Sequence, residues 1–233
     1  MTRELFREDS YLKSCAATVV ASGPDWVVLD ATVFYPMGGG QPGDTGALVL
    51  ADGARLAVID TRKGDAGIQH MLAPGAAPPA IGTALTAEID WERRHKHMRM
   101  HTCLHLLCAV IPAGVTGGQI GAERSRLDFD PGEVAFDKAA IEAGLNRLIA
   151  EDHAVAPRWI DEAELDAKPE LVRTMSVKPP RGAGKIRLLD VAGVDLQPCG
   201  GTHVARTGEI GRVMVEKIES KGKRNRRVVV ALV

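Results

Sequence analysis

One uninterrupted stretch constrains the fold of this chain more than any other feature. Residues 91–111 read WERRHKHMRMHTCLHLLCAVI, and no proline occurs until Pro112, so the stretch predicts a long helix. Asp90 is a suitable N-cap, because its carboxylate can accept backbone N–H groups of the first helical turn. The residues before Asp90 have a different character, so we place a domain boundary near residue 90.

The first ninety residues predict short strands. β-branched or alternating segments are separated by turn signals such as Gly23-Pro24 and Asp52-Gly53. This pattern favours a small antiparallel barrel or sandwich. We interpret residues 73–82, APGAAPPAIG, as a long hairpin connection, with a linker as the alternative. Residues 91–233 predict an α+β domain, in which a second helix lies within DKAAIEAGLNRLIAED.

Composition narrows the class of protein. The chain has 233 residues, of which 45% are hydrophobic and 25% charged, as in a globular protein. It contains no run of about 18 apolar residues and no hydrophobic signal segment, so we predict a cytoplasmic protein. The net charge of -1 means that nucleic-acid binding would need locally concentrated basic residues. We interpret Cys15, Cys103 and Cys108 as reduced thiols.

His101 and His105 lie four residues apart in the predicted helix. Residues at this spacing share one helix face, so one metal ion can bridge their imidazoles. Two hydrogen-bonded histidines in a buried helix stripe would leave the same pattern. His97, a further turn earlier, is a candidate alternative ligand or a hydrogen-bond donor to a ligand.

The segment QPCGGTHVA places Cys199 and His203 four residues apart near the other end of the chain. The two glycines between them allow a tight turn, and a thiolate with an imidazole suits zinc. The alternative is a glycine turn with a buried thiol and a surface histidine. Taken together, the two motifs predict one zinc ion per chain. Its four ligands would be His101, His105, Cys199 and His203. Threonine at position 102 argues against the HExxH motif of a metalloprotease.

The combination of HTCLH and CGGTH resembles the alanyl-tRNA editing family, which includes AlaX-type proteins and the editing domain of alanyl-tRNA synthetase. FYPMGGGQPGDTG (residues 34–46) is similar to the glycine-rich motif of that family's N-terminal barrel, and RRHKHMRMHTCLHLL to its metal-binding helix. PCGGTHVARTGEIG and ESKGKRNRRVVVAL are similar to its remaining blocks. The length resembles the medium form, with a barrel over residues 1–90 and an editing domain over residues 91–233.

The resemblance implies zinc-dependent hydrolysis of mischarged tRNA(Ala), chiefly seryl-tRNA(Ala) and secondarily glycyl-tRNA(Ala). Whether the zinc activates water, polarises the ester or anchors the substrate stays open, and His203 is the ligand most expected to dissociate. Gln119 is a candidate for positioning substrate or water, and Thr102 for binding the serine hydroxyl. The alternatives are a surface glutamine and a packed threonine.

The glycine-rich motif is expected to shape the substrate pocket, or to form only a tight barrel turn. Its core residues are Gly39, Gly40, Gln41, Gly43 and Asp44. Two other functions remain open: a tRNA-binding module with a structural zinc, and an enzyme that removes serine from tRNA(Thr). The sequence implies no obligate protein partner.

Three groups of basic residues could contact the phosphates of the tRNA(Ala) acceptor end, although such groups are often only a solvated surface. The first comprises Lys217, Lys221, Lys223, Arg224, Arg226 and Arg227. The second comprises Arg93, Arg94, Lys96 and Arg99 beside the metal-binding helix, and the third Lys178, Arg181, Lys185 and Arg187.

Overall fold

A computed structural model describes residues 2–172, 184–222 and 224–233. The chain divides into two compact units, Met1–His95 and Lys96–Val233. The division falls inside the long helix, just beyond the boundary predicted near residue 90. Among the described residues, no helix is both long and apolar enough to span a membrane.

The first unit is built on a closed barrel of six antiparallel strands in the order β2-β3-β7-β6-β5-β8. Its elements are β1 (Arg3–Glu4), α1 (Leu5–Glu8), β2 (Ser14–Ser22), β3 (Trp26–Leu29), β4 (Ala31–Thr32), β5 (Gly46–Leu50), β6 (Arg55–Gly64), β7 (Gly67–Leu72) and β8 (Ala84–Ile89). Alternate residues of a strand point to opposite faces, so Leu85, Ala87 and Ile89 of β8 all enter the barrel core. The predicted barrel is therefore present.

The connection over residues 73–82 differs from its prediction. It joins β7 to β8, but β7 pairs with β3 and β6, whereas β8 pairs with β2 and β5. The hairpin interpretation was wrong because the barrel closes by pairing strands that are distant in sequence.

The long helix α2 spans Trp91–Val110. As predicted, Asp90 caps it: the carboxylate accepts the Arg93 N–H at 3.1 Å. The helix ends two residues before Pro112, since proline disfavours helical geometry in the residue that precedes it.

The second unit contains two antiparallel sheets, one in the order β14-β15-β10-β9 and one in the order β11-β12-β13. Its further elements are β9 (Gly114–Gln119), β10 (Arg124–Asp130), α3 (Lys138–Ala150), β11 (Val155–Asp161), α4 (Glu162–Asp166), β12 (Lys185–Val191), β13 (Asp195–Pro198), β14 (Val213–Ser220), β15 (Arg226–Leu232) and short 3-10 helices at Pro169–Leu171 and Thr207–Ile210. Asp137 caps α3 by accepting the Ala140 N–H at 2.9 Å. The α+β fold class is confirmed.

His70 lies inside the barrel with both ring nitrogens hydrogen-bonded. Nδ1 is 3.3 Å from the Val27 carbonyl, which can only accept, so Nδ1 carries the proton. Nε2 then accepts from the Thr32 hydroxyl at 2.7 Å, and that oxygen accepts the Phe34 N–H. Burial lowers the pKa of His70 from 6.5 to about 4, only partly offset by the bond to Val27. The folded barrel therefore holds a neutral imidazole.

We expect the free energy of unfolding to fall as the pH drops from 6.5 to about 4. In this window the unfolded chain binds the His70 proton and the folded chain does not, so unfolding is favoured by roughly 3 kcal/mol at the lower end. Urea unfolding of metal-free protein at a series of pH values measures the effect. His70→Gln should reduce the slope of the free energy of unfolding against pH by the contribution of about one bound proton. Equal slopes in both proteins would contradict the assignment.

Candidate metal centre

The structure brings the four predicted ligands together within the second unit. One donor atom from each of His101, His105, Cys199 and His203 lies within 4.8 Å of the other three. The Sγ atom of Cys199 is 3.5 Å from Nε2 of His101 and 3.2 Å from Nε2 of His203. The three histidines are buried and Cys199 is half-buried.

These donors fit a zinc ion. Tetrahedral zinc with bonds of about 2.3 Å to sulfur and about 2.0–2.1 Å to nitrogen places the two donor atoms about 3.5 Å apart. The measured sulfur–nitrogen distances of 3.5 and 3.2 Å agree with that spacing. One thiolate with three imidazoles is also a donor set that zinc favours over calcium or magnesium.

The turn that carries Cys199 is fixed by backbone contacts. The Cys199 N–H donates to the Arg187 carbonyl at 3.1 Å, which extends the pairing of β12 with β13 by one residue. The Arg187 guanidinium donates to the carbonyls of Cys199 and Gly201 at 2.8 and 3.0 Å. Because Arg187 is buried and engaged in this way, its predicted role as a phosphate contact was wrong.

The cluster favours the thiolate form of Cys199. Burial alone would raise the pKa of this thiol, but His101, His203 and His105 together hold it well below 9.0. Burial and the neighbouring His101 lower the pKa of His203 well below 6.5. Burial also acts to lower the pKa of His105, yet the Cys199 thiolate and Asp195 outweigh it and raise that pKa to about 9. A metal ion would therefore meet a ready thiolate.

Thr102 holds His203 in position through a hydrogen bond to its ring. Its hydroxyl donates to the Met98 carbonyl at 2.9 Å and lies 3.1 Å from Nδ1 of His203 and 3.3 Å from the Val204 N–H. The hydroxyl therefore accepts from both nitrogens, and its one donor and two acceptor positions are all used. This geometry protonates His203 at Nδ1 and leaves Nε2 toward Cys199. It supports the packed-threonine interpretation rather than the predicted bond to a substrate hydroxyl.

Asp195 supports His105, and the sequence reasoning missed it. Its Oδ2 lies 3.6 Å from Nδ1 of His105 and accepts from Nε2 of Gln197 at 2.6 Å. Asp195, Gln197 and Cys199 occupy alternate positions at the end of β13, so they share one face of the strand. This alternation was the available signal.

Asp195→Asn should weaken zinc binding by about 10- to 100-fold, because a carboxylate behind a ligating histidine orients the ring and raises its basicity. Competition with a chromophoric chelator measures the affinity. Asp190→Asn is the matched control, since Asp190 lies on the neighbouring strand at a position opposite Leu196, on the other face. A comparable loss in both variants, or none in Asp195→Asn, would contradict the role.

Gln119 is exposed at the end of β9, where its side-chain oxygen accepts from Arg126 at 3.4 Å. The register pairs it with Arg126 and so places it on the same sheet face as Asp128. This polar surface position is compatible with either interpretation of Gln119. Its role toward substrate stays a prediction.

The glycine-rich motif lies in the first unit. Gly39 and Gly40 are exposed and have φ values of +56° and +82°, so a side chain there would be strained. A Cβ on Gly43 would lie 2.1 Å from the Thr61 carbonyl. Gln41 is fully buried. These features explain the motif as a tight turn, and its contribution to a substrate pocket stays a prediction.

Asp44, the last core residue of the motif, forms a buried ion pair with Arg94. Both side chains are almost completely inaccessible to solvent. The predicted phosphate contact of Arg94 was therefore wrong, and the pair favours the turn interpretation of Asp44. A contact between Asp44 and substrate stays a prediction.

The basic residues of the β14–β15 hairpin are partly neutralised. Lys217 and Lys221 pair with Glu219, and Arg224 pairs with Asp130. Arg227 donates two hydrogen bonds to Asp128, and Arg226 donates to Ser220. Arg224 remains 84% exposed despite its partner. Lys178, Arg181 and Lys223 lie outside the described residues.

The other predicted basic residues are divided between structural and exposed positions. Arg93 donates to the Gly43 carbonyl at 2.7 Å, and Arg99 donates to the Ile210 carbonyl at 2.8 Å. Lys96 lies 3.4 Å from Glu123, and Lys185 is exposed. His97 is buried, but it does not belong to the four-donor cluster.

Comparison with known protein families first shows the class of protein to which this chain is similar. Residues 186–229 match the "Threonyl and Alanyl tRNA synthetase second additional domain", and residues 7–93 match class II (A) tRNA synthetases. The two units of this fold are thus related to parts of tRNA synthetases. The metal cluster is completed by two residues of the first match, Cys199 and His203.

Similarity over the whole chain then gives the family. The alanyl-tRNA editing protein AlaX-M of Methanosarcina mazei is 39% identical over 100% of this chain and 97% of its own length. The AlaX-M protein of Saccharolobus solfataricus is 34% identical over 98% of both chains. The alanine–tRNA ligase of Pyrococcus furiosus is 37% identical over 94% of this chain and 24% of its own length. The chain belongs to the AlaX-M family of alanyl-tRNA editing proteins, as its motifs predicted.

Proposed function

We propose that this protein is a zinc-dependent aminoacyl-tRNA deacylase that acts on mischarged tRNA(Ala). Its first substrate would be seryl-tRNA(Ala) and its second glycyl-tRNA(Ala). The observation that carries the proposal is the cluster of His101, His105, Cys199 and His203 in a chain similar over its full length to alanyl-tRNA editing proteins. When bound, zinc would supply Lewis-acid polarisation of the ester or an activated water.

The reaction breaks the bond between the ester carbonyl carbon and the ribose oxygen. Water supplies the hydroxyl group that completes the amino acid, and a proton goes to the ribose oxygen of the released tRNA. Thr102 keeps the His203 proton on Nδ1, and Asp195 orients His105. We propose that the Gln119 amide positions the carbonyl or the water, since an amide can both donate and accept hydrogen bonds.

Discrimination between serine and alanine requires a polar partner for the serine hydroxyl. A site with such a partner leaves it unpaired when alanine binds, and it therefore rejects alanine more strongly than an apolar pocket can. The Thr102 hydroxyl is already saturated, so we propose that another polar group of the site supplies this partner.

A deacylation assay tests the proposal. Purified, zinc-loaded protein is incubated with tRNA(Ala) carrying serine, glycine or alanine, and with tRNA(Thr) carrying serine. We expect the serine ester of tRNA(Ala) to be lost fastest. Faster loss from tRNA(Thr) would change the specificity to threonine-specific tRNA, whose synthetase shares the domain matched by residues 186–229. Binding of tRNA with ester loss no faster than in buffer would identify a binding module instead.

The exposed basic hairpin is proposed to contact acceptor-end phosphates. Changing Lys221, Lys223 and Arg224 to glutamine should weaken tRNA binding and reduce the slope of log affinity against log salt by about 2 to 3, since each lost phosphate contact removes about 0.9. Fluorescence anisotropy at several salt concentrations measures the slope.

A matched control uses basic residues elsewhere in the second unit. Arg147 and Lys168 are exposed and paired with carboxylates, as Lys221 and Arg224 are, so Arg147→Gln with Lys168→Gln should leave the slope unchanged. An unchanged slope in the hairpin variant would assign those residues to solvent.

A further inference from the structure

An exposed tryptophan lies in the same cross-strand row as the thiolate ligand. In the β11-β12-β13 sheet, Trp159 of β11 is paired with Arg187 of β12. The Cys199 N–H bonds to the carbonyl of the same Arg187. Side chains at directly opposed positions project from the same face of a sheet. Trp159 and Cys199 therefore project from one face, separated by the strand that carries Arg187.

The two faces of this sheet have different roles. One face is covered by a hydrophobic cluster that includes Ile160, Ile186 and Leu188. The opposite face carries Cys199 together with Asp195, which supports His105. We call it the metal-facing side.

Trp159 lies on the edge strand β11, on the metal-facing side of the sheet. Its side chain is 50% exposed, whereas Arg187 and Leu189 beside it on β12 are buried. Neighbouring strands are about 4.8 Å apart, so two strand spacings place the Trp159 backbone about 10 Å from that of Cys199. A large aromatic side chain is thus open to solvent at a distance from the metal ligands that a single nucleotide can span.

We infer that Trp159 is a stacking platform for the base of the tRNA's 3′-terminal nucleotide, an inference that rests on the proposed function. The reacting ester is attached to the ribose of that nucleotide, so when the ester is at the metal cluster the base is only one ribose away. Stacking on an aromatic ring suits this position because it is tolerant of base identity and adds affinity without base-specific hydrogen bonds.

Lys185 supplies matching charge. It is exposed on β12, two residues from Arg187 and therefore on the same side as Trp159. Diagonal neighbours on adjacent strands are about 7–8 Å apart, so its ammonium group can reach a phosphate attached to a stacked nucleotide. An aromatic ring beside a lysine is the combination by which proteins hold single-stranded nucleic acid.

A double-mutant cycle on binding tests the inference. Wild-type protein and Trp159→Ala are titrated with uncharged tRNA(Ala), either complete or lacking the terminal adenosine. Removing the adenosine should weaken wild-type binding on the order of tenfold, and Trp159→Ala should weaken binding of complete tRNA by a similar factor. In the variant, removing the adenosine should then have little further effect. Trp159→Phe should retain most of the affinity.

The controls separate stacking from folding. Met214→Ala removes another exposed apolar side chain from the same unit and should leave tRNA affinity unchanged. Zinc content and the midpoint of thermal unfolding should match wild type in every variant. Wild-type affinity in Trp159→Ala, or fully additive losses, would overturn the inference.

The cycle can fail separately from the proposed function. It uses uncharged tRNA, so coupling between Trp159 and the adenosine supports stacking even if no ester is hydrolysed. Additive losses in a protein that deacylates seryl-tRNA(Ala) would overturn the stacking platform alone. Absence of tRNA binding by wild-type protein would overturn both.

Discussion

Cys199→Ala should abolish stoichiometric zinc binding and slow the hydrolysis of seryl-tRNA(Ala) by roughly three orders of magnitude. The thiolate is the only anionic donor in the cluster, and it lies within 3.5 Å of two imidazole nitrogens. Losing the metal removes several kcal/mol of transition-state stabilisation, and each 1.36 kcal/mol is a tenfold change in rate. Elemental analysis after dialysis and single-turnover deacylation measure the two effects.

The control is another cysteine outside the cluster. Cys15 is a half-buried free thiol on β2, so Cys15→Ser should keep both zinc and activity. Circular dichroism establishes that Cys199→Ala stays folded. Full activity in a folded, zinc-free Cys199→Ala protein would remove the metal from the mechanism.

Local features of the site were predictable because they depend on short spacings. The cap at Asp90, the one-turn spacing of His101 and His105, and the glycine turn between Cys199 and His203 each involve neighbours in sequence. The convergence of the helix with the turn is different, since it joins residues 98 positions apart. We inferred this convergence from ligand chemistry, because zinc is usually bound by four ligands and the two pairs together supply four.

The supporting residues were harder to predict. Thr102 was singled out as a candidate site residue. The angle of roughly 100° between neighbouring helix positions indicates the direction of its side chain, but not that His203 lies in that direction. Asp195 acts through β13, a strand of four residues whose facing depends on the register with β12. The alternation with Cys199 places Asp195 on the face of the metal ligands, but no spacing within the chain shows that His105 lies beside it.

Clusters of basic residues in the sequence did not distinguish exposed phosphate contacts from structural ion pairs. Arg187 was grouped with phosphate contacts, yet it holds the metal-ligand turn. Arg227 is paired with Asp128, which lies 99 residues earlier. Long-range partners convert apparent basic patches into structural ion pairs, and a linear sequence does not show such pairs. Trp159 was not identified from the sequence, because its nearness to Cys199 depends on the pairing of both residues with Arg187 in the sheet.

Arg94→Met should destabilise the barrel unit by about 3–5 kcal/mol, the usual cost of leaving one charge of a buried pair without its partner. The Arg94 guanidinium bonds to both carboxylate oxygens of Asp44 and also donates to the carbonyls of Ser10 and Val33. Asp44 in turn accepts the Tyr35 N–H at 2.6 Å. One arginine thus ties three segments of the barrel unit together, including both ends of the glycine-rich motif.

Urea unfolding followed by the fluorescence of Trp26 and Trp91 measures this loss, in a Trp159→Phe background so that the signal reports on the first unit. Arg55→Met is the matched control: its partner Glu88 lies at 2.8 Å, but both side chains are substantially exposed, so the loss should stay below about 1 kcal/mol. Combining Arg94→Met with Asp44→Asn should cost less than the sum of the two single changes, because no lone charge is left buried. If Arg94→Met cost no more than Arg55→Met, the pair would not hold the motif, and the tight glycine turn alone would have to account for its conformation.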